Sequence, residues 1–340
     1  MLYVTTREDR DAYTAYRALH ESRSADGGLF LPFRMQAFPE EELDALLRKP
    51  FHQTIAEILN RLFPVKLTGV DVEFAMGRRS LQLESLGRRA FLAEAWHNPD
   101  GDYSYLERSL TKLMTKEDGA GGNWTRIAVR IAIWFGVFGQ LRQAGLGDKV
   151  DICVVSGNFS APISAWYAKQ WGLPIGKIVC CCNENSTLWD LFRYGQMRTD
   201  AVSVPTATPD GDVAIPTDLE RLIYAYGGVP ETLRYLDDVR QGKPYHAPEE
   251  MLEKLRREFY VSVISGQRML QTIPSVYRTH SHLLSPYGAL AYAGLLDYRT
   301  VAEEPRYGLV MEEKSPVRDA ETVAAALGVE AKEVKNYLSQ

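Results

Sequence analysis

From residue 150 onward the chain alternates. VDICVVS is an apolar, β-branched run, SAWYAKQWG has helical spacing, KIVCCC is a second apolar run, and STLWDLFRYG is a second helix. A strand that is apolar throughout, without the in–out rhythm of a half-solvated sheet, has to be covered on both faces. Strands joined through helices run parallel, because the helix carries the chain back across the sheet. The expected fold class is therefore α/β: three layers, a mostly parallel sheet with helices on both faces. A length of 340 residues suffices for one large or two ordinary domains.

A helix is expected around residues 12–21, a short strand at 29–31 after the turn in SADGG, and helix over 39–63, where PEEELDALL places acids at a helix start. VKLTGVDVEF and SLQLESL alternate like short strands. WHNPDGDYSYLERSLTKLMTK is a turn followed by a helix, KEDGAGGN a break, and residues 124–143 a long helix. Further helices are expected at 217–226, near 247–263 and near 286–297, with YGLVME as a last strand and two closing helices. IAVRIAIWFGVFGQL is interrupted by Arg130, which suits a buried helix and not a membrane span. MLYVTTREDRD carries charges where a signal peptide needs an apolar stretch, so the cytoplasm is the simplest compartment. The net charge of −5 argues against a nucleic-acid partner. Cys180, Cys181 and Cys182 are adjacent, a spacing poor for disulfides and for metal, so reduced cysteines in a buried strand are expected and no metal site is.

VVSGNFSAPISAWYAKQ goes from strand to helix through one tight turn. Free N–H groups and the positive dipole end of the helix make such a turn a seat for a phosphate. The phosphate-binding candidates are Ser156, Gly157, Asn158, Phe159, Ser160 and Ala161. The same serines and asparagine would serve equally as helix caps with no ligand.

The stretch VVSGNFSAPISAWYAKQWGLPIGKIVCCCNENSTLWDLFRYGQ resembles threonine synthase, which shows a Gly-Asn-Phe-Gly loop, "AKxxGLPI" and "TNxN" in this order. TTREDRDAYTAYRALHESRSADGGLFLP, GGNWTRIAVRIAIWFGVFGQL, VAIPTDLERLIYAYGG and LLSPYGALAYAGL are similar to further stretches of that family, collinearly. The resemblance implies a fold type II large domain and, for an intact member, a pyridoxal-phosphate (PLP) lyase making threonine from O-phosphohomoserine.

The matching positions depart from that activity. The family's "HGPTxAFKD" falls on residues 97–105, and its lysine position reads Ser104. Serine supplies neither a Schiff-base anchor nor the base that moves a proton. Only TKEDGAG separates Met114 from Gly122, where the family carries the loop that grips substrate, so the small domain is expected to be largely deleted. The Thr of "TAHPxKF" becomes Glu313, and the His of "DPHTAVG" becomes Tyr287. The domain reading is an N-terminal segment at 1–95, a remnant of the lysine-helix region at 96–120, and a large α/β domain at 121–340.

The resulting expectation is a threonine-synthase-like protein without PLP catalysis. PLP enters through resemblance alone, and no covalent Schiff base is expected. Its partners would be a phosphorylated small molecule, and a second copy or another protein covering the face left by the missing domain. The charged segment 229–262 is either such a cover or a solvated helix pair. Two alternatives stay open. One is a re-purposed enzyme acting on a phosphorylated or amino-acid-like substrate through His97, Asp100, Asp102, Tyr103, Ser104 and Glu313. The other is an active lyase using Lys112 or Lys314.

Overall fold

A computed structural model describes every residue except 88, 120, 305, 339 and 340. An antiparallel sheet of order β2-β1-β3 opens the chain, from β1 (Leu2–Thr5), β2 (Tyr13–Thr14) and β3 (Phe30–Pro32), with α1 (Ala15–His20) after β2. The helix expected over 39–63 is two helices, α2 (Glu40–Leu47) and α3 (Phe51–Leu62), because Pro50 lacks the N–H that would continue the first. VKLTGVDVEF is not a strand. Thr68 and Asp71 form a reciprocal capping box, which starts α4 (Gly69–Met76) in the middle of the alternating pattern.

Next come β4 (Gln82–Ser85), β5 (Ala90–Glu94), α5 (Tyr103–Thr115) and α6 (Asn123–Gln143). Seven residues, 116–122, join these two helices. Then follow β6 (Val150–Val155), α7 (Ser160–Gln170), β7 (Ile175–Cys182), α8 (Thr187–Tyr194) and β8 (Gln196–Met197). The helix expected at 217–226 continues past a break at Gly228 as α9 (Leu219–Gln241). It leads to β9 (Tyr245–His246), paired with β8, and to α10 (Glu249–Glu258).

The helix expected near 247–263 ends earlier. Phe259 leaves helical dihedrals and begins β10 (Phe259–Val263), parallel to β7. Segment 229–262 is therefore not a free helix pair, since its last residues form an edge strand of the main sheet. α11 (Gly266–His280), α12 (Pro286–Arg299), β11 (Tyr307–Glu312), α13 (Ala320–Leu327) and α14 (Val334–Leu338) complete the chain.

The main sheet has six strands in the order β10-β7-β6-β11-β5-β4, all parallel except β4. Strands from 1–95 and from 121–340 lie side by side in it, so the boundaries at 95 and 120 do not part the sheet. Alternation along each strand divides the core in two. Leu309, Met311, Cys180 and Cys182 face a cluster with Trp124, Phe135 and Trp166, while Val310, Val179 and Cys181 face Ile273, Leu290 and Val323. The four cysteines are buried and unbridged. Helix α6 is buried on nearly all sides, and among the described residues no helix is long and apolar enough to cross a membrane.

Candidate functional site

The strand order reverses where β11 inserts beside β6, and a crevice opens outside the C-terminal ends of β5, β11 and β6. Open α/β sheets bind ligands at such a place. The cleft measures about 240 Å³ and is lined by the β6–α7 turn, the start of α5, α6, Asp210, Tyr287 and the residues after β11. A wider hollow of about 780 Å³ lies along α9 against Arg7 and Asp26, but no sheet-end loops converge there.

The turn places the phosphate-loop candidates unequally. Ser156 Oγ turns inward to the Cys181 carbonyl at 3.3 Å and to Cys182 Sγ. Asn158 holds the neighbouring loop: its Oδ1 accepts from Thr217 N at 2.7 Å and its Nδ2 reaches Asp218. Phe159 is buried in the left-handed region at φ 71°, and its N–H is taken by the Ser156 carbonyl at 2.7 Å. The N–H groups of Gly157, Asn158, Ser160 and Ala161 have no partner among the described residues, and Pro162 contributes none. A Cβ on Gly157 would stand 2.8 Å from the Asp210 carbonyl, so only glycine lets the two loops close over the cleft. Asn183, hydrogen-bonded to Asp212 at 2.7 Å, and Asn185, to Val204 O at 2.9 Å, fix the loop that carries Asp210.

Opposite the turn, Arg130 reaches Glu107 at 2.7 Å and Glu313 at 2.5 Å and lies 4.1 Å over the Tyr103 ring. Burial raises the Glu107 carboxyl above its usual range against the pull of Arg130. Burial works against the Arg130 charge, but Glu313 and Glu107 hold it more firmly protonated than usual. Arg126 faces the same space, exposed, with no ion pair among the described residues. Lys314 enters from the strand end, 2.6 Å from Asp210 and 3.2 Å from the Tyr287 hydroxyl. Burial alone would weaken its charge, yet these two bonds prevail and keep the amine protonated above its ordinary range.

Three of the six re-purposed candidates line the cleft: Asp102, Ser104 and Glu313. Asp102 is the N-cap of α5 and accepts from Ser104 N at 2.8 Å, and Ser104 Oγ accepts from Arg108 at 2.9 Å. Asp100 pairs with Arg108 at the surface, Tyr103 is buried beneath Arg130, and His97 turns to Glu94, so these three stand outside it. Lys112 is exposed and pairs with Asp118. Sequence reasoning missed Glu107, Arg126 and Asp210. Arg130 had a visible signal, the one charge within the apolar run IAVRIAIWFGVFGQL, which implies a buried partner.

The residues at the family's cofactor positions can be compared with what a covalent PLP needs. Ser104 offers no amine, and the amine within the cleft, Lys314, is held charged by Asp210. An anion on the free N–H groups beside Arg126 does fit the donors present.

A model of the threonine synthase N terminus matches residues 2–73. Threonine synthase-like 1 of Homo sapiens is 27% identical over 213 residues, which are 56% of this chain and 29% of that protein. Threonine synthase of Eremothecium gossypii is 29% identical over 166 residues, 46% of this chain and 32% of that protein. The match thus spans about a third or less of the length of these two relatives. The crystal structure of PLP-bound threonine synthase from Brucella melitensis superimposes with a TM-score of 0.85 at 20% identity, covering 97% of this chain and 92% of that one. That likeness shows the α/β fold, and its coverage does not support the expected deletion of the small domain.

Proposed function

Since the chain belongs to the threonine synthase family, we propose that it is a member that binds a phosphate-bearing small molecule in the old cofactor cleft and no longer performs PLP chemistry. One observation supports this reading: the turn presents unpartnered N–H groups to the cleft, while among the described residues the lysine position reads Ser104 and Lys314 is paired with Asp210. The phosphate would sit on the N–H groups of Gly157, Asn158, Ser160 and Ala161, with Ser160 Oγ and Arg126 beside it. The negative charge gains from the dipole of α7, whose eleven residues point their N-terminus at it.

Re-purposed catalysis has less support, because Asp102, Ser104 and Glu313 are each engaged in structural bonds.

The test is to incubate the full chain with PLP, reduce with borohydride and map lysines by mass spectrometry, alongside calorimetric titration with inorganic phosphate. The reading expects no pyridoxyl-lysine, and phosphate binding that Arg126→Gln weakens. A pyridoxyl group on Lys314 would overturn the loss of cofactor chemistry. Absence of phosphate binding would overturn the ligand class.

A further inference from the structure

At the same end of the sheet, but on its other face, lies a group that the cleft does not use. Successive strand residues point to opposite faces. Glu313 turns to Arg130, so Glu312 turns to the layer of α11 and α12, where its Oε1 accepts from Ser285 N at 2.6 Å. Glu94, the last residue of β5, is the register partner of Glu312, so two carboxylates stand side by side, 5% and 0% exposed. His282, just before α12, brings Nε2 to 3.1 Å from Glu94 Oε1. His97 Nε2 lies 2.7 Å from Glu94 Oε2. One oxygen each of Glu94 and Glu312 and one ring nitrogen of His282 all fall within 4.8 Å of one another.

Two buried atoms of the group have no hydrogen-bond partner among the described residues: Glu312 Oε2, and His282 Nε2, which is near Glu94 without alignment for a hydrogen bond. An unpartnered oxygen on a fully buried carboxylate beside a second carboxylate is costly, and a divalent cation would neutralise both. Bonds of about 2.0–2.2 Å to such an ion place its ligands about 3.3–3.6 Å apart. Small side-chain adjustments bring these three groups to that spacing. His97 and His282 are part-exposed and open the group to solvent.

We propose that Glu94, His282 and Glu312 bind a divalent transition-metal ion of the zinc and manganese class, with His97 as a positioning residue that orients Glu94. One imidazole with two carboxylates suits that class; calcium takes six to eight oxygens, and a thiolate site would need the cysteines. The remaining coordination positions face the His97–His282 side and take water. The inference is independent of the anion cleft, which lies on the opposite face of the sheet.

The experiment strips the full chain with chelator, titrates it with zinc by calorimetry, and counts metal after gel filtration. One zinc per chain is expected. Glu312→Gln keeps the shape and the acceptor for Ser285 N–H, and it and His282→Asn should each weaken binding at least about tenfold. His20→Asn, at a part-exposed histidine of α1 outside the group, should leave it unchanged. Cobalt in place of zinc should give visible bands that Glu312→Gln abolishes, and circular dichroism checks that each variant is folded. No zinc bound by the native chain, or zinc bound equally by Glu312→Gln and His282→Asn, would overturn the proposal.

Discussion

Arg130→Met tests the ion cluster in the cleft wall. The guanidinium is 12% exposed and serves Glu107, 14% exposed, and Glu313, 29% exposed. Methionine keeps the apolar stem but leaves Glu107 without its nearest positive charge. Removing one partner of a buried pair costs about 3–5 kcal/mol; with Glu313 partly in solvent the lower end applies, about 3 kcal/mol. A 340-residue chain unfolds with an entropy of roughly 0.7 kcal/mol/K, so the loss is a fall of about 4 °C in Tm.

The loss should also depend on pH. Burial raises the Glu107 carboxyl from 4.5, so the folded protein takes up a proton at a pH where the unfolded chain has released it. The penalty is absent below the unfolded value and grows as pH rises toward the folded one. Urea denaturation should therefore show a smaller deficit at pH 5 than at pH 8. Arg130→Met combined with Glu107→Gln and Glu313→Gln should recover most of the loss. A single variant within about 1 kcal/mol of the native chain, or a triple variant no better than the single, would refute the cluster's buried character.

Other expectations follow from the same geometry. Burial holds His52 below its ordinary pKa of 6.5, so the unfolded chain binds the proton better and stability is lost as pH falls below that value; His52→Gln should flatten the melting profile between pH 7 and 5. A Cβ on Gly122 would stand 2.1 Å from the Glu21 carbonyl oxygen, which is main chain, so Gly122→Ala should cost more than about 2 kcal/mol by thermal melting. Asp210→Asn should lower the Lys314 pKa and raise its rate of acylation at pH 8 severalfold, read by peptide mass spectrometry; an unchanged rate would exclude Asp210 as the clamp.

The central strands were legible because both faces are buried: VDICVVS and KIVCCC have no polar alternation to mislead. VKLTGVDVEF misled because its V-x-V rhythm is short, and the Thr68–Asp71 cap starts a helix inside it. The spacing of EEMLEKLRRE invites the helix onward through FYVSV, and only pairing with β7, a contact distant in the chain, makes that stretch a strand. Within the site, Ser104 and the glycine turn were visible because they are local motifs. The pairing of Lys314 with Asp210 is not legible locally, because it depends on a loop fixed by Asn183 and Asn185. The Glu94–His282–Glu312 group follows no spacing that can be scanned in the sequence. Its members meet because β5 and β11 pair in one register and α12 begins above them.

The placement of β11 has a consequence for synthesis. It lies between β6 and β5 in the sheet, yet it is made after every other strand. Until residues 307–312 leave the ribosome, the chain holds two separate strand blocks, β10-β7-β6 and β5-β4, each with an unpaired inner edge. Such edges invite pairing between nascent chains. Closure of the sheet thus rests on long-range contacts that only the last strand can make.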